Sequence, residues 1–186
     1  MSERPQPPSS TPPLPLPLPL PSTDLVERAR AFHTANTPPV TPRPSATVIL
    51  LRDDNQRLEV FLLRRHTAMD FAGGMHVFPG GTVDPSDESV EMTAIRETFE
   101  ESGVLFAAGD APDQALLEQD RVALIAHDST LADVLARHRL IAQPELLRLW
   151  SRWITPAFEP RRYDTHFFVA LAPAGQHARD VGGESD

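Results

Sequence analysis

With 186 residues and 40% apolar content, the chain can bury the core of one domain and still leave length outside it. It has no cysteine, and all 17 of its basic residues are arginine, so disulfides, thiolate metal sites, Schiff-base lysines and P-loop lysines are excluded. A net charge of −9 argues against nucleic acid as a partner, and no apolar run reaches the ~18 residues of a membrane helix; the cytoplasm is the expected location.

Residues 1–44 hold 13 of the 20 prolines and are expected to form a disordered tail. From Leu14 the repeat "LPLPLPLP" (14–21) sets proline at every second position, which bars a helix and favours polyproline II. A solvated tail is preferred over a ligand for SH3- or WW-like modules, because the repeat lacks flanking arginines. Within the tail, "TDLVERARAFHT" (23–34) places Val26, Ala29 and Phe32 on one side of a short helix.

The folded domain is expected over 45–186. "ATVILLR" (46–52) and "LEVFLLR" (58–64) read as the strands of a hairpin around "DDNQ", and "MHVF" (75–78) as a short strand entering Pro79-Gly80-Gly81. A helix follows over 85–102, then a strand at "VLFA" (104–107). Residues 109–149 read as helical, the last piece, "PELLRLWSRW", opening at Pro144. "RWITP" (152–156) and "THFFVALAP" (165–173) return to strand character, so the class is α/β.

The chemistry is concentrated in "GGTVDPSDESVEMTAIRETFEESGV", from Gly80 to Val104. Asp84, Pro85 and Asp87 suit a helix start, and Gly103 suits its stop. Val90, Ala94, Ile95, Thr98 and Phe99 supply the apolar side. Glu97, Glu100 and Glu101 then converge at three- and four-residue spacing near the helix C-terminus, where like charges repel and acids oppose the macrodipole. A bound Mg²⁺ or Mn²⁺ would resolve that conflict, because hard cations prefer oxygen ligands. Arg96 can pair with Glu100 one turn on and orient it.

This segment resembles the Nudix box: a glycine, a glutamate some residues on, seven residues, then R-E-aliphatic-x-E-E-x-G-aliphatic. Glu88, Arg96, Glu97, Glu100, Glu101, Gly103 and Val104 fit. Six residues instead of five separate Gly81 from Glu88, and Thr98 stands where an aliphatic residue is usual. The resemblance implies a Nudix α/β/α sandwich with a mixed sheet, and Mg²⁺- or Mn²⁺-dependent hydrolysis of a diphosphate linkage. It assigns Glu97, Glu100 and Glu101 as metal ligands, Arg96 as the orienting group, a carbonyl of Gly80 or Gly81 as a further ligand, and Glu88 as a supporting acid. Glu159 is a candidate base or an ordinary loop acid.

Upstream, "FLLRRHTAMDFAGGMHVFPGG" is similar to the additional motif of the coenzyme A diphosphatase branch. Leu62, Arg65, Gly74, Phe78, Pro79, Gly80 and Gly81 fit, while Leu63, His66 and Asp70 depart from it. The implied substrate is a small nucleotide-type molecule, coenzyme A or acyl-CoA first, with Arg65, Gly80, Gly81, Arg161 and Arg162 binding it. Arg161 and Arg162 stand alternatively as a surface pair beside Asp164. A scaffold that binds a nucleotide or protein partner without turnover is the other reading. No sequence after the last strand matches the family's closing helix: the domain over 45–186 is then either incomplete at its C-terminus or covered by the 109–149 region instead, and an uncovered sheet face would favour a homodimer or instability.

Overall fold

The computed structural model describes residues 22–54, 57–64 and 75–179. Two compact units divide the chain, 1–38 and 39–186. The first contains helix α1 (Thr23–Ala35), begun by Ser22, whose hydroxyl accepts from the Leu25 amide, and closed by Asn36 in the left-handed region. The helix at 23–34 therefore forms, inside the segment expected to be a tail.

In the second unit, β1 (Arg43–Asp54) is central. Its Ala46, Val48 and Leu50 alternate into the core, as a strand buried on one side requires. One edge of β1 pairs antiparallel with β2 (Arg57–Val60) and, further back, with the strand at Gly80–Thr82; the other pairs in parallel with the last strand. The pairing starts at Arg43, two residues ahead of the Ser45 expected from sequence. The second hairpin segment breaks after β2 into a separate β3 (Leu63–Arg64), which pairs with β4 (His76–Val77). Next come β5 (Gly80–Thr82), α2 (Val90–Ser102), β6 (Ala107–Ala108), α3 (Gln114–Ile125), α4 (Leu131–His138) and β7 (Ile141–Ala142). A single 3₁₀ turn at Pro144–Leu146 leads to β8 (Arg148–Ile154) and β9 (Tyr163–Leu171). The main sheet runs β2-β1-β9-β8, mixed as expected.

Three sequence expectations change. Helix α2 starts at Val90, capped by the Ser89 hydroxyl, because the Asp84 carboxylate is taken by the amide and hydroxyl of Ser86 in a local turn. The "VLFA" strand shrinks to Ala107–Ala108, since Val104, Leu105 and Phe106 are used to fill the core. Pro144 opens only one turn of helix; the bulky "RLWSRWI" that follows pairs with β9.

The core joins the inner side of β1 and β9 to Ala94, Ile95 and Phe99 of α2, with Leu117, Leu124, Val134 and Leu135 of α3 and α4 packed beyond. Helices α3 and α4 therefore thicken the layer α2 begins and do not replace a helix on the opposite side. Among the described residues, no helix follows β9: Gln176 exchanges hydrogen bonds with the Leu105 backbone, and the Arg179 amide donates to the Ser102 carbonyl. No described helix is long and apolar enough to cross a membrane.

Candidate active site

Two elements build the site. Strand β5 is held against β1, with Gly81 opposite Ala46 and Thr82 opposite Ser45. Helix α2 crosses behind it and ends at Gly103, whose φ of 73° and amide bond to the Phe99 carbonyl close the last turn. Arg96, only 5% exposed, is the hub. Its guanidinium lies 2.9 Å from Asp87, 2.9 Å from Glu97 and 3.2 Å from Glu100, and donates to the Thr82 carbonyl at 3.0 Å. Glu101 points the other way and accepts from the Gly80 amide at 2.9 Å.

The acid that holds Arg96 most closely is Asp87, which also accepts from the Thr93 hydroxyl and the Asp84 amide. Glu88, expected as the supporting acid, is exposed. The sequence contained the signal: five residues, 82–86, separate Gly81 from Asp87, so the one-residue insertion lies after the acid, not before it.

Three carboxylates on one guanidinium leave uncompensated negative charge in a partly buried place. Burial pushes the Glu97 carboxyl up to about 7, against the pull of Arg96 and with the help of Glu100. Glu100 is also raised, again chiefly by burial. For Arg96, burial acts to lower the pKa, but the bond to Asp87 and the charges of Glu97 and Glu100 outweigh it and hold the group above its ordinary value.

A hard divalent cation fits this donor set in charge and chemistry: oxygen ligands only, with more acid than Arg96 neutralises. In the present side-chain arrangement, no three acids or histidines among the described residues are grouped to hold an ion, because Glu97 and Glu100 turn onto Arg96 and Glu101 onto Gly80. Gly81 supplies the cradle. A Cβ there would stand 2.3 Å from Glu97 Oε1. We expect Gly81→Ala to change stability by less than about 1 kcal/mol, since a side-chain end can swing aside, but to lower kcat/KM on the order of 10²-fold by displacing the Glu97 carboxylate. Denaturant unfolding beside steady-state kinetics checks both halves.

A cleft of about 340 Å³ opens beside Arg96 and Glu100 and is lined also by Asp84, His127 and Thr130. His127, on the turn after α3 with φ 59°, was not singled out from sequence, where nothing links it to the box. Of the other site residues, Arg65 lies outside the described residues. Arg161 and Arg162 are not brought to α2. They lie between β8 and β9, on the turn that also carries Glu159, and Arg162 donates to the carbonyls of Thr155 and Val40. Asp164 pairs with Arg152, not with either of them.

The NUDIX domain family model matches residues 41–176. Putative nudix hydrolase 7 of Caenorhabditis elegans is 34% identical over 139 residues, 69% of this chain and 44% of that protein. Acyl-coenzyme A diphosphatase NUDT19 of Xenopus laevis is 31% identical over 122 residues, 56% of this chain and 32% of that protein. The chain thus spans less than half the length of these curated relatives. The crystal structure of a NUDIX hydrolase from Alicyclobacillus acidocaldarius superposes with a TM-score of 0.64 at 31% identity, covering 79% of this chain and 77% of that one.

Proposed function

The chain belongs to the Nudix family, and from that premise we propose that it is a Mg²⁺- or Mn²⁺-dependent diphosphatase of nucleoside-diphosphate derivatives, with coenzyme A or acyl-CoA favoured. The observation that carries the reading is the surplus of buried carboxylate around Arg96, with Glu97 raised to about 7. Such a cluster is costly in a protein that binds no cation. The substrate preference rests on the resemblance of residues 61–81 to the coenzyme A motif, and two relatives support it: NUDT19 and the peroxisomal coenzyme A diphosphatase ndx-8 of C. elegans, 42% identical over 62 residues.

In this reading Glu97, Glu100 and Glu101 hold the ion, which when bound polarises the diphosphate and lowers the pKa of water. The protein's own groups position that chemistry. Asp87 fixes Arg96, while Arg96 and the Gly80 amide hold Glu97, Glu100 and Glu101 in the ion-free arrangement, from which the three carboxylates would turn toward the ion. Gly81 lets the strand approach Glu97 closely. The carbonyls of Gly80 and Gly81 and the Arg65 side chain are the remaining contacts proposed for metal or substrate. A homodimer is the proposed assembly, supported by the exposed Trp150 and Trp153 of edge strand β8.

One observation favours the alternative, a scaffold that binds a nucleotide without turnover: the acids are drawn onto Arg96 and not grouped. Incubation with coenzyme A, acyl-CoA, ADP-ribose and NADH, with Mg²⁺, Mn²⁺ or chelator, separates the two. The enzyme gives metal-dependent products from at least one substrate. A folded sample inert toward all of them is the scaffold.

A further inference from the structure

At the start of β9 a pocket of about 280 Å³ is lined by Thr41, Arg43, Arg161, Arg162 and Tyr163, and no acid lines it. This reverses the bulk charge of a chain at −9. Several arginines elsewhere meet acids: Arg52 with Glu59, Arg96 with Asp87, Arg121 with Glu118, Arg152 with Asp164. A pocket lined by three arginines and no acid favours an anion.

The three are not equivalent. Arg162 forms the wall, its Nε and Nη1 donating to the Thr155 and Val40 carbonyls while its own carbonyl accepts from the Arg43 amide. Arg43 has one long contact, 3.4 Å to the Thr82 hydroxyl. Arg161 is exposed and has no hydrogen-bond or ion-pair partner among the described residues. Arg43 and Arg161 therefore keep unfilled donors at a pocket where Arg162 is anchored, and such planar five-donor groups suit the oxygens of a phosphate. The β1–β9 register sets Arg43 opposite Tyr163, which brings the phenol to the same side.

Thr82 links this pocket to the carboxylate cluster. Its hydroxyl meets Arg43, its carbonyl meets Arg96, and its neighbour Gly81 lies against Glu97. We propose that Arg43 and Arg161, with Tyr163 and Thr41, bind a phosphate monoester carried on the nucleotide half of the substrate, apart from the diphosphate that is cleaved. The proposal rests on the diphosphatase reading and specifies its substrate class: nucleotides phosphorylated on the sugar as well as at the 5′ position.

The test compares kcat/KM for coenzyme A and for 3′-dephospho-coenzyme A in the wild type, Arg43→Gln, Arg161→Gln and the double variant, each checked for an unchanged melt. The wild type should prefer the 3′-phosphorylated substrate by at least about tenfold, a factor typical of one charged hydrogen bond. The preference should fall toward one in the double variant, through KM. A wild type without preference, or a preference that the double variant keeps, overturns the subsite. Should folded protein cleave neither compound, the coenzyme A preference fails, and calorimetry with 3′,5′-ADP and 5′-AMP decides the subsite alone. Tighter binding of 3′,5′-ADP, abolished in the double variant, sustains it; equal binding overturns it.

Discussion

Arg96→Met should cost about 3–5 kcal/mol of folding stability at pH 8, the loss expected when one partner of a buried ionic cluster is removed. Methionine preserves much of the side-chain volume but removes every donor. Asp87, with a side chain 1% exposed, Glu97 and Glu100 would then be buried without a counter-charge, and the Thr82 carbonyl would lose its partner. The sign with pH follows from the same residues. Stranded carboxyls have folded pKa values above their unfolded ones, so the folded state binds the extra protons and the variant recovers stability as pH falls toward 5. Urea unfolding of wild type and variant at pH 8 and pH 5.5 reads both effects. A deficit below about 1 kcal/mol, equal at the two pH values, would remove Arg96 from the centre of the site.

Glu97→Gln should act oppositely on stability and activity. Burial raises the Glu97 carboxyl from 4.5 to about 7 in the metal-free protein. A raised folded pKa gives stability that is present below pH 4.5 and lost as pH rises to 7, so above 7 the ionised side chain destabilises the fold. The shift corresponds to on the order of 3 kcal/mol. The glutamine variant escapes this penalty: without metal it should melt higher than wild type at pH 8, with the gap closing toward pH 5. Its kcat/KM should nevertheless fall on the order of 10³-fold, beyond the 10–100-fold typical of altering a group that only supports a metal ligand. A variant that is both less stable at pH 8 and fully active would refute the assignment of Glu97.

The parts of the protein that can be read in the sequence are those where local rules leave one outcome, or are openly broken. Strands β1 and β9 were legible because runs such as "ATVILLR" and "THFFVALAP" leave few alternatives to a buried strand. The Glu97, Glu100 and Glu101 triplet was legible because it violates helix electrostatics, and such local conflict marks function. Where local rules agreed with two structures, tertiary contacts decided. Asp84-Pro85 is a sound helix start in isolation, but the Asp84 carboxylate serves a turn, and Asp87 is drawn to an arginine nine residues on. "PELLRLWSRW" suits a helix until β9 offers its edge. The meeting of Arg43 with Arg161 and Arg162 across more than a hundred residues is set by the parallel β1–β9 register, which no local pattern encodes.

In the proposed reaction the α2 carboxylates hold a divalent ion and a diphosphate is cleaved. The most direct test is product analysis of coenzyme A incubated with Mg²⁺ and either wild-type protein or Glu100→Gln, each repeated with chelator. We predict release of 3′,5′-ADP by the wild type alone, abolished by chelator. Equal release by Glu100→Gln, or release that persists in chelator, would contradict the account.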